Sequence, residues 1–125
     1  MSRLRPLWPA LAWLGLIFLG SSLPLGGPHL FTGIDKVAHF AEYAILAALA
    51  VLGLGAARAG GLFLRVLAAV PIMALVAAAD ELHQAWIPGR CPDVLDGAAD
   101  LAGILAGSAI VLAVMLARKR GPRAG

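Results

Sequence analysis

Between Pro6 and Ile34 the chain carries no Asp, Glu, Lys or Arg, and three more long apolar stretches follow, parted by clusters of glycine and proline. An α-helix rises about 1.5 Å per residue, so about 20 apolar residues cross the ~30 Å hydrocarbon core of a bilayer. Lipid offers the backbone no hydrogen bonds, and a spanning segment must therefore satisfy its own amides as a helix. Composition agrees, since 61% of residues are hydrophobic, 14% are charged and the mean hydropathy is +0.88, outside the range of ordinary soluble domains. With 125 residues there is room for one domain, taken to cover residues 1–125.

The spacing predicts an all-α integral membrane bundle of four transmembrane helices at about 7–25, 35–54, 62–84 and 92–117. Arg3 and Arg5 before an apolar run ending in Gly20, Ser21 and Ser22 also fit a cleaved signal peptide. More membrane follows, however, and no secreted domain, which favours a retained first helix. The breaker-rich stretch Pro24 to Gly33 precedes the second helix. Gly53, Gly55, Gly60 and Gly61 mark a turn before the third, in which Pro71 is expected as a tolerated kink. Ile87, Pro88, Gly89 and Arg90 make a tight connection, and Pro92 suits the first turn of the fourth helix.

Charge sets the orientation. Arg3, Arg5, Arg58, Arg65, Arg118, Lys119, Arg120 and Arg123 fall on one side of these spans, against only Lys36 and Arg90 on the other. The positive side faces the cytoplasm, which places both termini inside. Asp35, Glu42, Asp80, Glu81, Asp93, Asp96 and Asp100 all sit at or near the outer ends of the last three helices, with His29, His39 and His83 in the same half.

Helical periodicity makes these groups converge. Asp35, His39 and Glu42 follow i, i+4, i+7 and share a face, with Tyr43 beside them. Asp93, Asp96, Asp100, Gly103 and Gly107 form one stripe, polar outside and small deeper in, where a G-x-x-x-G pair admits another helix. Asp80 and Gln84 share a face of the third helix, with Glu81 about a quarter-turn away. A charged, unpaired group in hydrocarbon costs about 2.5–3.5 kcal/mol on insertion scales, so these must be paired, hydrated or protonated. A network that merely fixes helix register accounts for Gln84 or Tyr43. Several carboxylates beside histidines at one depth point instead to a water-accessible, outward-facing pocket. There, crowded carboxylates suit acid-base work or proton coupling.

The segment Asp35-Lys36-Val37-Ala38-His39-Phe40-Ala41-Glu42-Tyr43 resembles the D-K-x-x-H-F-x-x-Y signature of the VanZ-like membrane proteins. Glu81-Leu82-His83-Gln84, then Pro88-Gly89-Arg90 and Asp96, resembles that family's E-x-x-Q, P-G-R and D-x-x-x-N arrangement ahead of a glycine-rich helix. The likeness covers about residues 10–115. Asp100 departs from it, standing where the family usually shows Asn and adding a titratable group. The resemblance implies a bacterial cytoplasmic-membrane protein of the cell envelope, whose family namesake is associated with resistance to the glycopeptide teicoplanin.

Three mechanisms fit these residues. An enzyme on a lipid-linked wall precursor would use Glu42, Glu81, Asp96, Asp100 and His39 as acid and base. Lys36 and Arg90 would then hold phosphate or carboxylate, with Asp35, Tyr43, Asp80 and Gln84 completing the pocket. A binding protein would capture a precursor headgroup or the glycopeptide without turnover. A proton-coupled transporter would need a homo-oligomer, because four helices are few. No G-x-S-x-G, H-E-x-x-H or phosphate loop is present. No cofactor and no metal are assigned, although His39, Glu42 and Glu81 have suitable donors. Nucleic acid is excluded as a partner because the basic residues flank apolar spans, where they meet membrane lipids. Trp8, Trp13 and Trp86 read as interface or packing aromatics, and Cys91 as a small apolar filler.

Overall fold

The computed structural model describes residues 5–24, 32–56 and 60–120. His29, Arg3, Arg58, Arg123, and the expected end of the first span at Leu25 lie outside these residues. Within them all regular structure is helical. A 3-10 turn at Arg5–Leu7 leads into α1 (Trp8–Ser21), followed by α2 (Thr32–Ala56), α3 (Leu62–Gln84) and α4 (Val94–Arg120).

α3 has the expected bounds. α1 stops short of them, and the local chemistry shows why. The hydroxyls of Ser21 and Ser22 approach the carbonyls of Ile17 and Phe18 at 3.0 and 2.7 Å, and Pro24 disfavours helical geometry at Leu23. At 14 residues α1 is about 21 Å long. α2, α3 and α4, of 25, 23 and 27 residues, are long and apolar enough to cross a membrane. The chain is a multi-pass membrane protein, and Phe63, Leu75 and Leu82, each exposed on α3, suit contact with lipid.

Both ends of α2 and of α4 also differ from expectation, α2 starting at Thr32 instead of about 35 and α4 ending at Arg120 instead of about 117. Gly53 and Gly55 lie within α2, which runs on to Ala56. Gly53 stays helical because it serves packing: a Cβ there would meet the Pro6 carbonyl oxygen at 2.7 Å. α4 begins at Val94, after Pro92. Asp93 is its N-cap, its Oδ1 accepting the Leu95 amide at 2.8 Å, a role that proline cannot fill. α3 continues through Pro71, which is exposed. Cys91 is exposed in the loop between α3 and α4, outside the bundle and therefore not apolar filler.

α2 is the centre of the molecule, packing on all three other helices and most extensively on α4. Gly103 and Gly107 make that approach possible. A Cβ at either would collide with the α2 backbone at Phe40 or Ala44, so the polar stripe above them is pressed against α2 as its spacing predicted. Tyr43, Leu46, Ala47 and Val51 meet Ile104, Val111, Met73 and Ala77 in the core.

Candidate functional site

Two polar assemblies occupy the same end of the bundle. The first joins α2 to α4. Lys36 Nζ donates to Asp93 Oδ2 at 2.8 Å and to Asp96 Oδ1 at 2.9 Å. One turn further along α2, His39 Nδ1 lies 2.9 Å from Asp100 Oδ1, both side chains being buried. Asp35 is exposed and sits 4.0 Å from the other ring nitrogen of His39, too far for a direct hydrogen bond. Glu81 enters from α3, its Oε2 accepting the Asp93 amide at 3.3 Å. The Lys36 ammonium and the Leu95 amide hold the Asp93 carboxyl below the usual carboxylate range, since both favour its charged form.

The second assembly joins α1 to α3. Ser21 Oγ is 2.8 Å from Asp80 Oδ2, to which Gln84 Nε2 also donates at 3.3 Å. Ser22 Oγ lies 3.0 Å from His83 Nε2, and the His83 ring stacks on Phe18 with centroids 4.3 Å apart. Because the Ser22 proton goes to Phe18, the hydroxyl is free to accept from the imidazole. Arg90 closes this end of α1. Its guanidinium donates to Gln84 Oε1 at 3.2 Å and to the carbonyls of Leu23 and Gly20 at 3.2 and 3.3 Å. A cation at a helix C-terminus pairs with orphan carbonyls and with the negative end of the dipole. The preceding turn aims it there: the Arg90 amide bonds the Ile87 carbonyl at 3.1 Å and Gly89 has φ of 84°. Pro followed by glycine at positive φ is the composition of a type II turn.

A family model described as VanZ/LLP1 matches residues 6–116. The chain belongs to the VanZ/LLP1 family. No curated protein and no solved structure matches it. In this VanZ/LLP1 chain the signature residues have separable structural tasks. Lys36 and His39 clasp α4, Tyr43 is fully buried between helices, and the Pro88-Gly89-Arg90 turn locks α1 against α3.

Of the residues that the sequence singled out, His39, Asp96, Asp100 and Lys36 come together as expected, with Glu81 alongside. Asp80, Gln84 and Arg90 belong to the α1–α3 side. Glu42 is half-buried and ties the helices through its backbone carbonyl, which accepts from Trp13 Nε1 at 2.9 Å. The two cations expected to hold an anionic headgroup are both engaged within the protein. In the sequence Ser21 and Ser22 stand out only as a cleavage-like ending. Two hydroxyls closing an apolar helix at the level of the acids was the signal available for them.

Several buried polar atoms have no hydrogen-bond partner among the described residues: Asp100 Oδ2, Glu81 Oε1, Asp80 Oδ1, Tyr43 Oη and Ser108 Oγ. His39, Glu81 and Asp100 each offer a donor atom within 4.8 Å of the others, as do Asp35, His39 and Asp96. Beside the second assembly, an apolar cleft of about 400 Å³ runs between α1 and α3. Leu11, Leu14, Gly15, Phe18, Val76 and Ala79 line it, and Asp80 is its one acidic residue.

Proposed function

We propose that this is a cytoplasmic-membrane protein of the bacterial cell envelope that binds lipid-linked wall precursors at its outer face and so influences susceptibility to the glycopeptide teicoplanin. The observation that carries this reading is the apolar cleft between α1 and α3 with Asp80 among its lining residues. A lipid tail fits the apolar part, and the polar assemblies then meet its headgroup at the membrane surface. In the proposed topology four spans place both termini in the cytoplasm, α1 crosses with help from its flanking residues, and α3 bends at Pro71. Arg65, Arg118 and Lys119 at the end opposite the acids support this orientation.

Gly15→Leu tests the cleft directly. A Cβ at Gly15 meets nothing within 4 Å, so the variant is expected to fold, with its larger side chain occupying part of the cleft. Purified wild type is expected to bind a lipid-linked wall precursor saturably, and Gly15→Leu to bind it at least about tenfold more weakly, equivalent to 1.4 kcal/mol. Equal binding by both proteins, or none by either, would remove the reading. In cells, Asp96→Asn, Glu81→Gln and His39→Ala should each alter teicoplanin susceptibility while inserting normally. Unchanged susceptibility in all three would separate the pocket from resistance.

A second reading, a membrane-embedded acid/base enzyme on the same headgroup, is favoured by the buried His39–Asp100 pair with Glu81 beside it. A general base needs an orienting partner within hydrogen-bond reach, which Asp100 supplies. Mass spectrometry of the incubated precursor distinguishes the two readings: a changed lipid supports the enzyme, whereas bound but unchanged lipid supports the binder.

A further inference from the structure

We propose that His39, Glu81 and Asp100 form a binding site for a divalent first-row transition-metal ion, represented by Zn2+. The three residues come from three different helices, and each places a donor atom within 4.8 Å of the other two. Ligand atoms about 2.1 Å from a tetrahedral Zn2+ stand about 3.4 Å apart, so the set closes on an ion through a small adjustment of side-chain torsions.

An independent observation points the same way. Each carboxylate is anchored through one oxygen and leaves the other enclosed without a partner among the described residues. Asp100 Oδ1 meets His39 while its Oδ2 has none, and the side chain is 0% exposed. Glu81 Oε2 accepts the Asp93 amide while its Oε1 has none. Buried polar atoms are ordinarily satisfied, and a spare oxygen on each of two carboxylates that converge with one imidazole supplies donors for a cation. The exposed Asp35 carboxylate lies 4.0 Å from the far ring nitrogen of His39, beyond direct hydrogen-bond reach.

The alternative set of Asp35, His39 and Asp96 is weaker. Asp96 already accepts from the Lys36 ammonium at 2.9 Å, which repels a second cation, and Asp35 is exposed. Three protein ligands leave an open coordination position, the arrangement of ions that meet water or substrate. Asp100 is central, because an amide at this position is a poorer donor than a carboxylate. The site is thus a property of this chain's own departure from the D-x-x-x-N pattern.

The ion does not depend on precursor binding, so the test uses metal alone. Protein purified in detergent and stripped with chelator is titrated with ZnCl2 by calorimetry at neutral pH. Saturable binding of a single ion per chain is expected, with protons released, because the ligands must be deprotonated to coordinate. Asp100→Asn and Glu81→Gln should each weaken it by at least about tenfold. Both are isosteric, and melting of the metal-free variants by circular dichroism verifies their fold. X-ray absorption at the zinc edge should report a first shell of nitrogen and oxygen donors without sulfur, with the outer-shell scattering of a single imidazole. Absence of saturable binding in the wild type, or binding undiminished in both variants, overturns the assignment.

Discussion

The two polar assemblies sit at the same end of the bundle but hold their helices by different means. Between α2 and α4, glycines bring backbones into contact and charged groups oppose one another in register above them. Between α1 and α3, hydroxyls, an amide and a guanidinium bridge helices that leave a cleft beside the bridge. The first seam is set by steric approach, which tolerates no added volume. The second is set by hydrogen bonds and has room next to it, which is what the proposed ligand would need.

The sharpest way to break this contrast is to add volume to both seams. Gly107→Leu collides with the α2 backbone and should cost about 3 kcal/mol or more in unfolding from detergent micelles. Gly15→Leu should be close to neutral, and equal losses would abolish the distinction. Ser21→Ala, which leaves Asp80 with its Gln84 bond alone, should cost about 1–3 kcal/mol. Hydrogen exchange should then quicken in α1 and not in α4. Gly89→Ala strains a positive φ and should cost about 1 kcal/mol, again loosening α1 through Arg90.

The smallest effect is a pH signature confined to the α2–α4 seam. Asp93 has its carboxyl lowered in the folded protein, so its ion pair with Lys36 contributes stability that is fully present above the unfolded value. That contribution is lost as pH falls through the lower folded value. The difference in melting temperature between wild type and Asp93→Asn should therefore hold constant from pH 7 to about 5 and shrink only below the ordinary 3.8 of an aspartate. A difference that vanished already at pH 5 would contradict the clasp.

What the sequence made legible follows from the reach of helical periodicity. The bounds of α3, the stripe from Asp93 through Gly107 and the meeting of His39 with α4 all derive from a 3.6-residue repeat and from where small residues fall. Periodicity relates residues within one helix and says little about which neighbour each face meets. Asp80 and Glu81 are adjacent in sequence, yet one faces Ser21 of α1 and the other the start of α4. Both assemblies therefore merged into a single constellation when read from the chain alone. Arg90 shows the same limit. Its charge suggested an anion partner, and only the turn geometry of Gly89 reveals that it is spent on the carbonyls ending α1.

The early end of α1 has a consequence for how a ligand arrives. Ser21 stops level with Asp80, one turn or about 6 Å before α3 itself ends at Gln84. Arg90 reaches over this end of α1 from the α3–α4 connection, to the carbonyls of Gly20 and Leu23. Under the proposed lipid-binding reading, a molecule dissolved in the leaflet would enter the α1–α3 cleft laterally beneath that arm, without lifting its tail into water. On that proposal the protein would work as a side door in the leaflet, not as a cup open to the medium.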